Sequence, residues 1–128
     1  MNKSKITESE WYIMKVLWFK SPLTFKEIMP LLPSDIEWKE NTVKTLLSRL
    51  VNKDVLNYKK EGRFFKYYPT VSEEACRQVE SQHFVEKVFD GVAKSMLVSF
   101  IKSEELTHGD IEELKKLLDD KLKGESDD

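Results

Sequence analysis

Cysteine is nearly missing from this chain. A single one, Cys76, in 128 residues excludes an internal disulfide and any multi-cysteine zinc or copper cluster. Its default reading is a small buried apolar side chain. Long hydrophobic runs are missing too: no stretch reaches the roughly 18 apolar residues of a membrane span. The opening MNKSKITESEW has no signal-peptide hydrophobic region. A soluble, cytoplasmic protein that does not bind the membrane directly is expected. Nothing resembles a glycine-rich phosphate loop, a nucleophile motif or HExxH. His83 and His108 fall in different segments without metal-ligand spacing, and the pairs Glu112-Glu113 and Asp119-Asp120 belong to a solvated helix face. No enzyme, metal or cofactor is expected.

Charge of one sign is lacking overall, the net charge being −2, but its distribution is uneven. Residues 39–66 hold eight basic groups against three acidic, and residues 67–128 hold eight basic against fifteen acidic. A polyanion would be met by the middle of the chain and repelled by its tail.

In that basic middle, Val43, Leu46, Leu47 and Leu50 stand at i, i+3, i+4 and i+7 and form one apolar helical stripe. The opposite side carries Asn41, Thr42, Lys44, Thr45, Ser48, Arg49 and Asn52. Hydroxyls, amides and a guanidinium opposite a buried stripe make a DNA-recognition helix, or an ordinary surface helix. The neighbours decide. Thr7-Glu8-Ser9-Glu10 is a capping box opening an apolar helix that Ser21-Pro22 ends. Thr24-Phe25-Lys26-Glu27 is a second box, opening a short helix that Pro30 kinks or shortens and Pro33 closes. Trp38, in the connector that follows, reads as a core anchor. Two helices before a third with a polar outer face is the helix-turn-helix order.

Val55–Lys60 and the aromatic Arg63–Tyr68 read as a β-hairpin turning at Glu61-Gly62, with Lys59, Lys60 and Arg63 at its tip. A cationic hairpin there is a wing for the phosphate backbone; the competing reading is a sheet edge guarded by charge. Ser72-Glu73-Glu74 caps a helix to about Asp90, with Gly91 as its stop. A segment from Val92 to Ile101 and a last helix capped by Thr107 and ending near Gly124 follow. Their apolar residues either fold back on the first domain or meet a second copy, and the second is favoured. Phe84, Val88, Leu97, Ile111, Leu114 and Leu118 are the expected dimer interface. The fold class expected is mainly α with a small β-hairpin: a winged helix-turn-helix domain over 1–71, a helical dimerisation region over 72–124 and a disordered tail over 125–128.

From ITESEWYIMKVLW, through TVKTLLSRLVNKDVL and GRFFKYYP, to FVEKVFDG, the sequence resembles the penicillinase repressors of the BlaI and MecI type over nearly its whole length. The resemblance implies a dimeric winged-helix repressor on a palindromic double-stranded operator, typically controlling β-lactam resistance genes. It implies relief by proteolysis, with a membrane-bound sensor metalloprotease upstream. Carried over by position, Asn41, Thr42, Lys44, Thr45 and Arg49 face DNA, supported by Lys60 and Arg63 from the wing. The family's Asn-Phe cleavage bond corresponds here to Ser99-Phe100; Phe100 matches and Ser99 departs, and Phe100 reads equally as dimer core. Lys39-Glu40 replaces the Ser-Pro that often opens the recognition helix, losing a cap and a favoured first residue. Asp54 stands where the family usually has glycine. The Cys-X-Cys pairs of the copper-responsive branch are not present.

Two other classes stay open at the level of sequence. One is a winged helix that binds a basic protein through the acidic half. The other is a ligand-sensing regulator not linked to β-lactams, which needs a pocket.

Overall fold

A capping box starts the first helix, α1 (Glu8–Phe19). Thr7 Oγ1 accepts from the Glu10 amide at 3.2 Å and Glu10 Oε1 accepts from the Thr7 amide at 3.0 Å. Two orphan donors are satisfied at once. The computed structural model describes residues 6–126. After α1 come β1 (Leu23–Thr24), α2 (Phe25–Ile28) with a 3₁₀ turn over Met29–Leu31, α3 (Glu40–Asn52), β2 (Leu56–Glu61) and β3 (Phe64–Pro69). The helices α4 (Glu73–Val88), α5 (Ala93–Lys102) and α6 (His108–Ser126) complete the order. This is a winged helix-turn-helix followed by helices, mainly α with one small antiparallel sheet.

The chain gathers into two compact units, Met1–Gln82 and His83–Asp128, so that α4 begins in one and ends in the other. The core of the first unit unites Ile13, Met14 and Leu17 of α1 with Ile28 of α2 and the α3 stripe. Val43 and Leu50 are fully buried, Leu47 nearly so. Trp38 is half-buried against this core, edge-on to Tyr12. Cys76 is buried there as well, and burial, with the Glu80 carboxylate nearby, pushes its thiol pKa up. A thiol so placed is an apolar filler and a poor nucleophile.

Strand β1 escapes the sequence reading. It pairs with β3, Leu23 opposite Tyr67, giving a three-stranded sheet in the order β1-β3-β2. The hairpin turn also differs from expectation. Glu61 pairs with Phe64, so the two-residue loop is Gly62-Arg63 and not Glu61-Gly62. Gly62 takes φ +64°, as a two-residue hairpin with glycine in its first central position requires. Asp54 also lies in the left-handed region, at φ +64°, where an aspartate is tolerated at some cost.

Ion pairing adds an unexpected brace. The Lys53 ammonium, at the end of α3, donates to Oε1 of the wholly buried Glu10. The capping carboxylate of α1 thereby anchors the far end of α3. On the same unit, Trp18 Nε1 donates to the Val71 carbonyl at 2.9 Å and Lys15 pairs with Glu73 at 3.1 Å.

In the second unit, α4 ends at Val88, two residues short of the expected Asp90, because Asp90 and Gly91 both take positive φ. The Gly91 amide returns to the Val85 carbonyl at 3.0 Å. Thr107 caps α6, exchanging bonds with Asp110. Helix α6 extends to Ser126; of the tail expected over 125–128, Asp127 and Asp128 lie outside the described residues. Val85 is buried, whereas Phe84, Val88, Leu97, Ile111, Leu114 and Leu118 are all exposed in the single chain.

The α3 stripe should dominate the stability of the first unit. Leu50→Ala is expected to cost about 2–5 kcal/mol, read as a lowered midpoint in chemical denaturation followed by tryptophan emission. A loss below about 1 kcal/mol would contradict the packing described.

Candidate nucleic-acid interface

Burying Val43, Leu46, Leu47 and Leu50 leaves one rotation for α3. Asn41, Thr42, Lys44, Thr45, Ser48, Arg49 and Asn52 consequently all project to solvent. The helix opens without a side-chain cap, as Lys39-Glu40 implies; Lys39 supplies only its carbonyl, accepting from the Thr42 amide at 3.0 Å.

Lys44 is held in place by an aromatic ring. Its ammonium lies 5.0 Å from the centroid of Phe25, at the start of α2. Such a cation–π contact positions the charge without neutralising it. A second capping box fixes α2 itself: Thr24 Oγ1 accepts from the Glu27 amide at 3.2 Å and Glu27 Oε1 accepts from the Thr24 amide at 2.9 Å. The Thr24 amide holds the Glu27 carboxyl below the usual carboxylate range, aided by the Thr24 hydroxyl and by Lys66 and Lys20.

The hairpin sorts its charges by register. Lys59 opposes Lys66 and Lys60 opposes Phe65, so Lys59 and Lys60 emerge on opposite faces. Lys59 sits 5.8 Å from the Tyr68 ring centroid, and Lys66 reaches Glu61 at 3.7 Å. Arg63 occupies the turn itself. Among the described residues, Arg49, Lys60 and Arg63 form no ion pair.

Between α3 and the hairpin runs a cleft of about 350 Å³, bordered by Lys44 and Ser48 on one side and Arg63 on the other. Of the site residues expected from the sequence, Lys44 and Arg63 line this cleft, whereas Asn41, Thr42, Thr45, Arg49 and Lys60 do not. Sequence reasoning missed Lys26, Phe25, Phe64 and Phe65, which line the same cleft. Phe25 and Lys26 were hidden by their place in a capping box, and Phe64 and Phe65 read as strand residues. Ser99 and Phe100 lie elsewhere, in the last turn of α5.

An exposed polar recognition helix, a cationic turn and the three-stranded sheet together define a winged-helix DNA-binding repressor. Within that class the chain belongs to the penicillinase repressor family, whose sequence model matches residues 6–120. It is 31% identical over 117 residues to the methicillin resistance regulatory protein MecI of Mammaliicoccus sciuri, covering 91% of this chain and 95% of that protein. It is 33% identical over 116 residues to the penicillinase repressor of Bacillus licheniformis, covering 91% of each. The solution structure of the DNA binding domain of the repressor BlaI aligns with a TM-score of 0.50 and 37% identity, over 55% of this chain and 85% of that one.

The α2 cap makes a pH-dependent contribution of definite sign. Its carboxyl is the stronger acid when folded, so the contribution is present above the ordinary glutamate pKa and lost as pH falls through the lowered folded value. Thr24→Ala removes the hydroxyl and keeps the amide donor that contributes most, so in an NMR pH series the Glu27 titration should rise only part of the way toward the ordinary range. Full return to the ordinary range would assign the shift to the hydroxyl and not to the amide.

Proposed function

We propose that this protein is a sequence-specific transcriptional repressor that binds a palindromic operator as a homodimer. Asn41, Thr42, Lys44, Thr45 and Arg49 read the major groove, while Lys60 and Arg63 hold the adjacent backbone. The observation that carries the reading is the fixed rotation of α3, which presents every polar residue of that helix on one exposed face. Arg49 is the strongest base-reading candidate, because an arginine can bond a guanine edge in bidentate fashion.

Dimerisation is assigned to the second unit. Leu114 and Leu118 are 40% and 58% exposed in the single chain, with Ile111 one turn before them. Apolar surface on this scale marks an interface, and a two-fold dimer would set recognition helices about 34–36 Å apart, one turn of B-DNA. The names of the relatives, a methicillin resistance regulator and a penicillinase repressor, support β-lactam resistance genes as the regulated set.

Relief by proteolysis at Ser99-Phe100, through a membrane-bound sensor metalloprotease, completes the proposed circuit. Ser99 O accepts from the Ser103 amide at 3.2 Å, and Phe100 O accepts from the Ser103 hydroxyl at 2.7 Å. A protease that takes an extended backbone must first unwind this turn, so cleavage here is gated by local unfolding.

Binding to operator duplex should fall by about 10³–10⁵ between 50 and 200 mM salt if the dimer makes six to ten phosphate contacts. No detectable duplex binding at low salt would sink the repressor reading. Arg49→Ala should weaken operator binding by about 1–3 kcal/mol while sparing random DNA; an equal loss on both would make Arg49 a phosphate contact. Leu118→Asp should yield monomers by sedimentation with the first unit still folded. Should the variant sediment as an unchanged dimer, the interface lies elsewhere.

A further inference from the structure

The cleft between α2, α3 and the hairpin is chemically richer than a phosphate contact requires. Lys26, Lys44 and Arg63 reach it from α2, α3 and the hairpin turn, and among the described residues no carboxylate lines it. Two acids of the same elements already have partners: Glu27 accepts from the Thr24 amide, and Glu61 pairs with Lys66. Four aromatic residues make up most of the remaining walls, beside Thr24 and Ser48. Phe25 and Tyr67 form part of the lining, and Phe64 and Phe65 stand at the rim, 54% and 43% exposed. Phe65 is braced edge-on by Tyr58 at 4.9 Å. The volume of about 350 Å³ falls in the range of small-molecule sites, which are mostly apolar with a few convergent polar groups.

We propose that this cleft binds a small planar organic anion, an aromatic carboxylate of one or two rings. Inorganic phosphate would use the cations and leave the exposed Phe64 and Phe65 rings in water, whereas a neutral aromatic would use the rings and leave three charges unmatched. An aromatic carboxylate satisfies both, its ring against the exposed Phe64 and Phe65 and its carboxylate toward the cations of the lining. The Thr24 and Ser48 hydroxyls on the same lining can donate to the same group. Because Lys44 and Arg63 belong also to the proposed DNA face, occupancy withdraws them from the operator. That regulatory consequence rests on the DNA-binding reading; the binding site itself does not.

The test is titration of a naphthalene carboxylate into the isotope-labelled full-length protein without DNA, followed by amide chemical shifts. Inorganic phosphate and the matching naphthalene alcohol serve as comparators. Saturable shifts confined to Thr24–Lys26, Ser48 and Gly62–Phe65 are expected. Lys26→Ala or Phe64→Ala, both at exposed positions, should weaken binding by about fivefold, and Lys116→Ala in α6 should leave it unchanged. Absent or non-saturable shifts would overturn the proposal, as would phosphate or the alcohol matching the carboxylate. The same sample is then assayed on operator duplex with and without ligand. Ligand that binds and raises the apparent Kd for duplex supports both halves. Ligand binding without any duplex binding retains the site and removes the DNA reading; duplex binding without ligand binding removes the site alone.

Discussion

Everything on the recognition face depends on where four apolar side chains go. Val43, Leu46, Leu47 and Leu50 span two turns of α3, and only one rotation of that helix buries all four. Turning it by one residue, about 100°, would sink Lys44 or Ser48 into the core. Desolvating an ammonium or an unpaired hydroxyl there costs several kcal/mol in order of magnitude. The core thus dictates orientation, and the surface chemistry is its complement. The Glu10–Lys53 pair, its carboxylate buried and its ammonium partly exposed, acts in the same sense at the other end of the helix. It ties the end of α3 to the first turn of α1, and a pair so placed specifies geometry more surely than it adds stability.

Local signals carried most of the fold. The threonines at positions 7, 24 and 107 each cap a helix where the spacing of Thr and Glu or Asp indicates, because a capping box needs only four consecutive residues. The α3 stripe was equally legible, since burial follows helical period. The two-residue strand Leu23–Thr24 was not, because a pair of residues has no period and exists only through its partner Tyr67. The hairpin turn slid by one residue for a related reason: the pairing of Glu61 with Phe64 is set by the whole strand register. The Glu10–Lys53 contact joins residues 43 apart, a distance in sequence over which no pattern speaks. The same holds for the cleft, whose Lys26 and Phe64 meet only after α2 and the hairpin have folded.

The near-neutral net charge conceals a division of labour. Cations concentrate on α3 and the hairpin, while the carboxylates of the chain's second half fall mostly on exposed helix surface. A field of opposite signs along one chain discourages non-specific capture by polyanions and orients approach to a duplex. Strand β2 is one edge of the sheet, and Lys59 and Lys60 guard it against pairing with another strand, so the cations of the hairpin also serve solubility.

The aromatic anchoring of the first unit has a practical corollary. All three tryptophans of the chain, Trp11, Trp18 and Trp38, belong to it. Trp11 and Trp18 are stacked edge to face at 5.4 Å, and Trp18 is bonded to the Val71 carbonyl. Indole emission consequently follows this unit alone, whereas far-ultraviolet dichroism sums over every helix, α5 and α6 included. The difference between the two signals isolates the second unit without any label, and coincidence of the two transitions would be the mark of a single cooperative molecule.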